Sequence, residues 1–92
     1  SFWSDDMEFK GKAVATVICR LRKERGQSQE VLSGLAVMAR SHLSMVETGD
    51  MLPTLPTLWR LAEALDMKPY ELVKLMEEEM ERADASVREG EK

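Results

Sequence analysis

The chain has 92 residues, a formal net charge of −4, 43% apolar and 33% charged residues, and a single cysteine. That size supports one domain with a modest core, and the apolar share excludes an intrinsically disordered chain. No stretch approaches the roughly 18 to 20 consecutive apolar residues of a membrane helix, the N-terminus lacks the basic-then-apolar pattern of a signal peptide, and Cys19 alone can form neither an intrachain disulfide nor a cysteine-based metal site, so a cytoplasmic protein is expected.

The charge is unevenly spread. Residues 1–11 set Lys10 against Asp5, Asp6 and Glu8, for −2. Residues 12–50 set Lys12, Arg20, Arg22, Lys23, Arg25 and Arg40 against Glu24, Glu30, Glu47 and Asp50, for +2. Residues 51–92 carry six bases and ten acids, for −4. The acid sits at the two ends, and local distribution matters more than the total for a nucleic-acid footprint. A local charge of only +2 points to modest, salt-sensitive affinity from one copy.

Residues 1–7, SFWSDDM, lack periodicity and read as an N-terminal arm or an expression remnant. Phe2 and Trp3 would cap the core, join a dimer contact or stay disordered. From about Glu8 to Arg25, Val14, Ile18 and Leu21 recur at helical spacing, with Ala15 and Val17 alongside. Cys19 falls inside this pattern and reads as a small core residue. Arg20, Arg22, Lys23 and Arg25 crowd the last turns, where cations complement the helix dipole, and Gly26 supplies the stop.

Ser28 is a good N-cap for a second helix, Gln29 to Leu35. A third runs from Arg40 to Thr48 and stops at Gly49, which accepts the left-handed conformation. Leu32, Ala36, Met38, Leu43 and Val46 share one inward side if these two helices cross steeply over a tight turn. That is a helix-turn-helix arrangement, whose usual purpose is to hold the second of the pair in the major groove of DNA.

Residues 49–53 form a loop. Thr54 is the expected N-cap of a fourth helix, Leu55 to Leu65, with Pro56 tolerated in the first turn. Leu58, Leu61, Ala62 and Leu65 make its inner stripe, and Asp66, which tolerates positive φ better than most residues, ends it. Pro69 opens a fifth helix that passes through Leu72 and Leu75 to about Arg82. Residues 84–92 are expected to be a polar, frayed tail, so the folded domain is placed at residues 8–83. The run Glu77 to Glu79 reads as a solvated face.

The stretches LRKERGQSQEVLSGLA and RSHLSMVETG, followed by a proline and TLWRLAEAL, resemble the Xre/Cro phage-repressor type of helix-turn-helix regulator. The resemblance covers about residues 13–75. It implies an all-α, compact five-helix bundle of the lambda-repressor-like DNA-binding type that binds double-stranded operator DNA as a homodimer to control transcription. A repressor is expected, and no cofactor. By the same resemblance Arg40, Ser41, Ser44 and Met45 form the reading face of the third helix. Arg40 leads it, because a guanidinium can donate two bonds to guanine. Ser28, Gln29, His42, Thr48 and Thr54 are the expected phosphate contacts, and Arg22 and Glu47 an expected partly buried ion pair. Val37 stands where the turn usually carries glycine, and Ala39 where a Ser or Thr usually caps the third helix. Leu35, Met45 and Asp50 stand where polar or basic residues are common.

His42 has a second reading as a solvated or packed helix residue. With no second histidine, no metal site is expected, and Ser41-His42 is no catalytic pair, because adjacent helical residues do not face one another. Nothing in the sequence supports an enzyme. Trp59, Tyr70, Val73, Met76 and Met80, with Leu75, exceed what so small a core needs and suggest a homodimer interface, or else packing of the fifth helix on its own domain. The alternative of another class is a protein-interaction or antitoxin-like module that keeps the fold with weak DNA affinity. Leu35, Met45, Asp50 and the acidic ends motivate it, and a protein partner would then replace DNA.

Overall fold

The structure is a computed structural model that describes residues 8–90, with side-chain surroundings given to residue 85. Phe2, Trp3 and the rest of residues 1–7 lie outside the described residues. Five helices follow in order: α1 Gly11–Glu24, α2 Gln29–Leu35, α3 Arg40–Thr48, α4 Leu55–Ala64 and α5 Pro69–Gly90. The second and third match the sequence-based bounds. The first starts later than expected, because Lys10 is extended and takes the N-cap position without a side-chain bond.

The core is the sum of the apolar stripes. Val14, Val17, Ile18 and Leu21 of α1 meet Leu32 of α2, Leu43 and Val46 of α3, Leu61 and Ala62 of α4, and Leu72 and Met76 of α5. Ala36 and Leu65, at the ends of α2 and α4, complete it. Fully burying a side chain of this size stabilises by about 1.5–3 kcal/mol, so the stripes rather than helix propensity hold the bundle.

The turns carry the backbone strain. Gly26 and Gly49 have φ of 66° and 88°, which glycine accepts freely. Asp66 is left-handed at 56°, as its place after α4 suggested. Val37, between α2 and α3, is left-handed at 53°, a conformation that a β-branched side chain adopts only under constraint.

Helix α5 continues to Gly90 instead of ending near Arg82. The apolar rhythm stops after Met80, but no Gly or Pro intervenes before Gly90, and Ala83, Ala85, Arg88 and Glu89 suit a helix. An ion pair of 2.8 Å between Lys10 Nζ and Asp84 also ties this last part of α5 to the start of the domain. No helix among the described residues is long and apolar enough to cross a membrane.

Candidate nucleic-acid interface

Three contacts fix the α2–turn–α3 unit in place. Arg22 lies at the end of α1 and Glu47 in the last turn of α3. Arg22 Nε donates to one Glu47 oxygen at 2.7 Å and Nη2 to the other at 3.0 Å. Their side chains are only 12% and 4% exposed. The same guanidinium donates to the Gln27 carbonyl at 2.8 Å, and Gln29 Nε2 donates to Glu47 at 3.1 Å. Burial alone would push the Glu47 carboxyl up. The bonds from Arg22 and Gln29 and the Arg22 charge outweigh it and hold the carboxyl below the ordinary range. The bond to Glu47 in turn raises the Arg22 guanidinium. Thus α1, α2 and α3 are joined at one buried charge cluster, the ion pair that the sequence suggested.

The second contact comes from α4. Arg60 Nε donates to the Ala36 carbonyl at 3.0 Å, and its Nη2 to the hydroxyl of buried Thr57 at 3.1 Å. It thereby satisfies a carbonyl at the C-terminal end of α2 that the helix leaves unpaired. The third is Lys12 of α1, whose ammonium lies 3.4 Å from the Thr48 carbonyl at the negative end of α3.

With Leu43 and Val46 buried, the opposite side of α3 is left outward. Arg40, Ser41 and Met45 are exposed, and Ser44 and His42 are half-buried. Among the described residues no side chain bonds Arg40, which stands at the first position of the helix. Ala39 precedes it as N-cap and makes no side-chain cap bond. The expected reading residues therefore share one free surface.

The expected phosphate contacts divide. The Ser28 hydroxyl accepts from the Val31 N–H at 3.1 Å, as a cap should, and keeps its own proton to donate. Gln29 is half-buried and keeps one amide proton beyond the one held by Glu47. The Thr48 hydroxyl has a single proton, which faces the Met45 carbonyl at 3.0 Å and the Asp50 carboxylate at 2.9 Å. A phosphate would find that proton engaged and a carboxylate beside it. Thr54 occupies the N-cap position of α4 but makes no cap bond, its hydroxyl donating to Thr57 at 3.1 Å.

The basic cluster of α1 is turned to internal use. Arg20 pairs with Glu79 of α5 at 2.9 Å, and Arg25 donates to the Leu65 carbonyl at 2.8 Å. With Arg22 bound to Glu47 and Lys12 to the Thr48 carbonyl, four of the six bases of residues 12–50 bond partners within the chain. These pairings span 25 to 59 residues, so no local pattern could have signalled them.

The expected dimer residues also divide. Trp59, Tyr70 and Val73 are exposed, with Leu55 a turn before Trp59 on α4. Met76 is instead a buried core residue, and Met80 is half-buried against the core. Packing of α5 on its own domain explains those two.

A bundle in which two short helices cross at a tight turn, the second pinned by α1 and α2 with a polar face outward, defines a helix-turn-helix protein. A family model described as "Helix-turn-helix" matches residues 20–72. The chain belongs to the helix-turn-helix family of DNA-binding transcriptional regulators. It is 39% identical over 62 residues, 67% of this chain and 80% of the relative, to an uncharacterized HTH-type transcriptional regulator, y4dJ, of Sinorhizobium fredii. Among solved structures it is similar to the restriction-modification controller protein C.AhdI from Aeromonas hydrophila, with 35% identity, a TM-score of 0.65, and coverage of 67% of this chain and 94% of that one. The clp gene regulator ClgR from Corynebacterium glutamicum shares the fold at a TM-score of 0.82 and 16% identity, over 88% of this chain and 86% of that one.

Proposed function

We propose that this chain is a cytoplasmic repressor that binds operator DNA as a homodimer, with α3 in the major groove. The observation that carries the reading is the outward face of α3, free along Arg40, Ser41, Ser44 and Met45 while the helix beneath it is locked by Arg22, Gln29 and Glu47. Arg40 donates to a guanine edge and the serines to neighbouring base edges. Ser28, Gln29 and His42 contact phosphates and set the register. One such helix reads few base pairs, and a two-fold dimer places a second α3 about one helical turn, roughly 34–36 Å, away. Trp59, Tyr70 and Val73 form the dimer face. Repression is steric, through an operator that overlaps a promoter.

The test is a fluorescence-anisotropy titration into random-sequence duplexes at rising salt. With three arginines engaged internally, the slope of log affinity against log salt is shallow, on the order of −3 to −5 for a dimer at about 0.9 per phosphate contact. Arg40→Ala weakens binding to a selected sequence more than to random DNA, and Gln29→Ala weakens both. No binding at about 50 mM salt by folded protein refutes the proposal.

A groove favours a second reading. It has a volume of about 440 Å³, is lined by apolar side chains including Phe9, Leu52, Leu58 and Val73, and carries Glu8, Glu77, Glu81 and Asp84 among its lining. On this reading the fold is an antitoxin-like interaction module, and the groove takes a partner segment whose apolar residues are flanked by Lys or Arg. Val73→Lys would then abolish partner binding, while Arg40→Ala would not matter.

A further inference from the structure

We propose that Met45 reads the C5-methyl group of a thymine in each operator half-site. The inference rests on the DNA-binding reading above and names one base that the reading face selects. Met45 lies one turn after Ser41 on α3, pointing away from the buried Leu43 and Val46, and is 40% exposed. Its neighbours on this face are Arg40, Ser41 and Ser44, all hydrogen-bonding side chains. Met45 alone among them is apolar. A thioether has no proton to donate and is only a weak acceptor, so a bond to a base edge offers it little. In the major groove, base pairs present donors, acceptors and one apolar group, the thymine methyl. Cytosine in its place has only a hydrogen at C5 and leaves the thioether no methyl group to cover.

The backbone at this residue is fixed. Its carbonyl accepts from the amides of Asp50 and Met51 at 3.0 and 3.2 Å and from the Thr48 hydroxyl at 3.0 Å. Only the side-chain torsions remain to adapt, and an unbranched side chain fits itself to a methyl group at an uncertain depth. The contact therefore sorts thymine from cytosine without requiring an exact fit.

The experiment deletes the methyl group alone. A duplex selected by the wild-type protein is remade with deoxyuridine in place of each half-site thymine in turn, and affinities are measured by anisotropy. At one position the wild-type protein loses about fourfold per half-site, the worth of one buried methyl. Met45→Ala shows no response to uracil there. Met45→Gln, whose amide can bond adenine twice, selects duplexes with adenine at that position instead. Circular dichroism of both variants establishes that they fold, as the exposure of Met45 leads one to expect. Sequence-selective binding that ignores uracil at every thymine overturns the methyl assignment alone, as does an undiminished response in Met45→Ala. An absence of duplex binding at any salt overturns the DNA-binding reading and this inference together.

Discussion

Arg22→Met strands a charge. The Glu47 carboxylate is 4% exposed and would lose bonds of 2.7 and 3.0 Å, keeping only the amide of Gln29. The Gln27 carbonyl would lose its 2.8 Å donor as well. Removing one partner of a buried pair costs about 3–5 kcal/mol. Arg22 retains 12% exposure, which lets some water reach the vacated side and puts the expected loss near the lower end, about 3 kcal/mol. For a domain of this size that lowers Tm by about 12–24 °C. Glu47→Gln costs less, because the arginine left behind can turn towards water. Arg22→Met with Glu47→Leu removes both charges and is expected to be more stable than Arg22→Met alone. Urea unfolding followed by far-ultraviolet circular dichroism measures all three. A cost below about 1 kcal/mol for Arg22→Met, or strict additivity in the double variant, would refute the reasoning. Acid adds a second readout. The Glu47 carboxyl is depressed in the folded protein, so its contribution is complete above the unfolded value near 4.3 and is lost as pH falls through the folded value. The wild-type protein loses stability over that acid window, and Glu47→Gln shows a flatter profile there.

Val37→Gly relieves a left-handed β-branched residue that is 76% exposed, and is expected to gain about 1 kcal/mol after the entropic cost of glycine, seen as a higher urea midpoint. A fall in the midpoint would show that the turn bears no strain. Ala39→Ser supplies the missing cap of α3 and raises stability by about 1 kcal/mol in the same assay, and Ala39→Gly falls short of that gain by only a few tenths. Arg25→Ala removes the bond to the Leu65 carbonyl and lowers stability by about 1–2 kcal/mol. It leaves the salt slope of DNA binding unchanged; a reduced slope would place Arg25 on the DNA.

The α2–turn–α3 unit was readable because each of its boundaries has a local cause: Ser28 caps, Gly49 turns left-handed, and Leu43 and Val46 face inward. Val37 and Ala39 were readable as departures because a positive φ and an empty cap are properties of one position. What the sequence hid depends on partners far along the chain. Nothing near Arg60 indicates that it closes the end of α2, and nothing near Arg20 indicates Glu79. The end of α5 was misplaced for another reason. Apolar periodicity reports where a helix meets the core, and α5 outlasts its contact with the core. Thr54 takes the N-cap position that its residue type suggests, but its hydroxyl bonds Thr57 and accepts from no backbone N–H, a preference set by the neighbouring side chain.

The bond from Arg60 to the Ala36 carbonyl has a consequence for synthesis. The turn between α2 and α3 is closed by a residue that leaves the ribosome 24 positions later. A chain interrupted after Asp50 holds every residue of the helix-turn-helix pair, yet the end of α2 lacks its donor, α2 lacks the α4 face it packs on, and α1 lacks α5. The fixed geometry of the pair therefore arrives with the completed bundle.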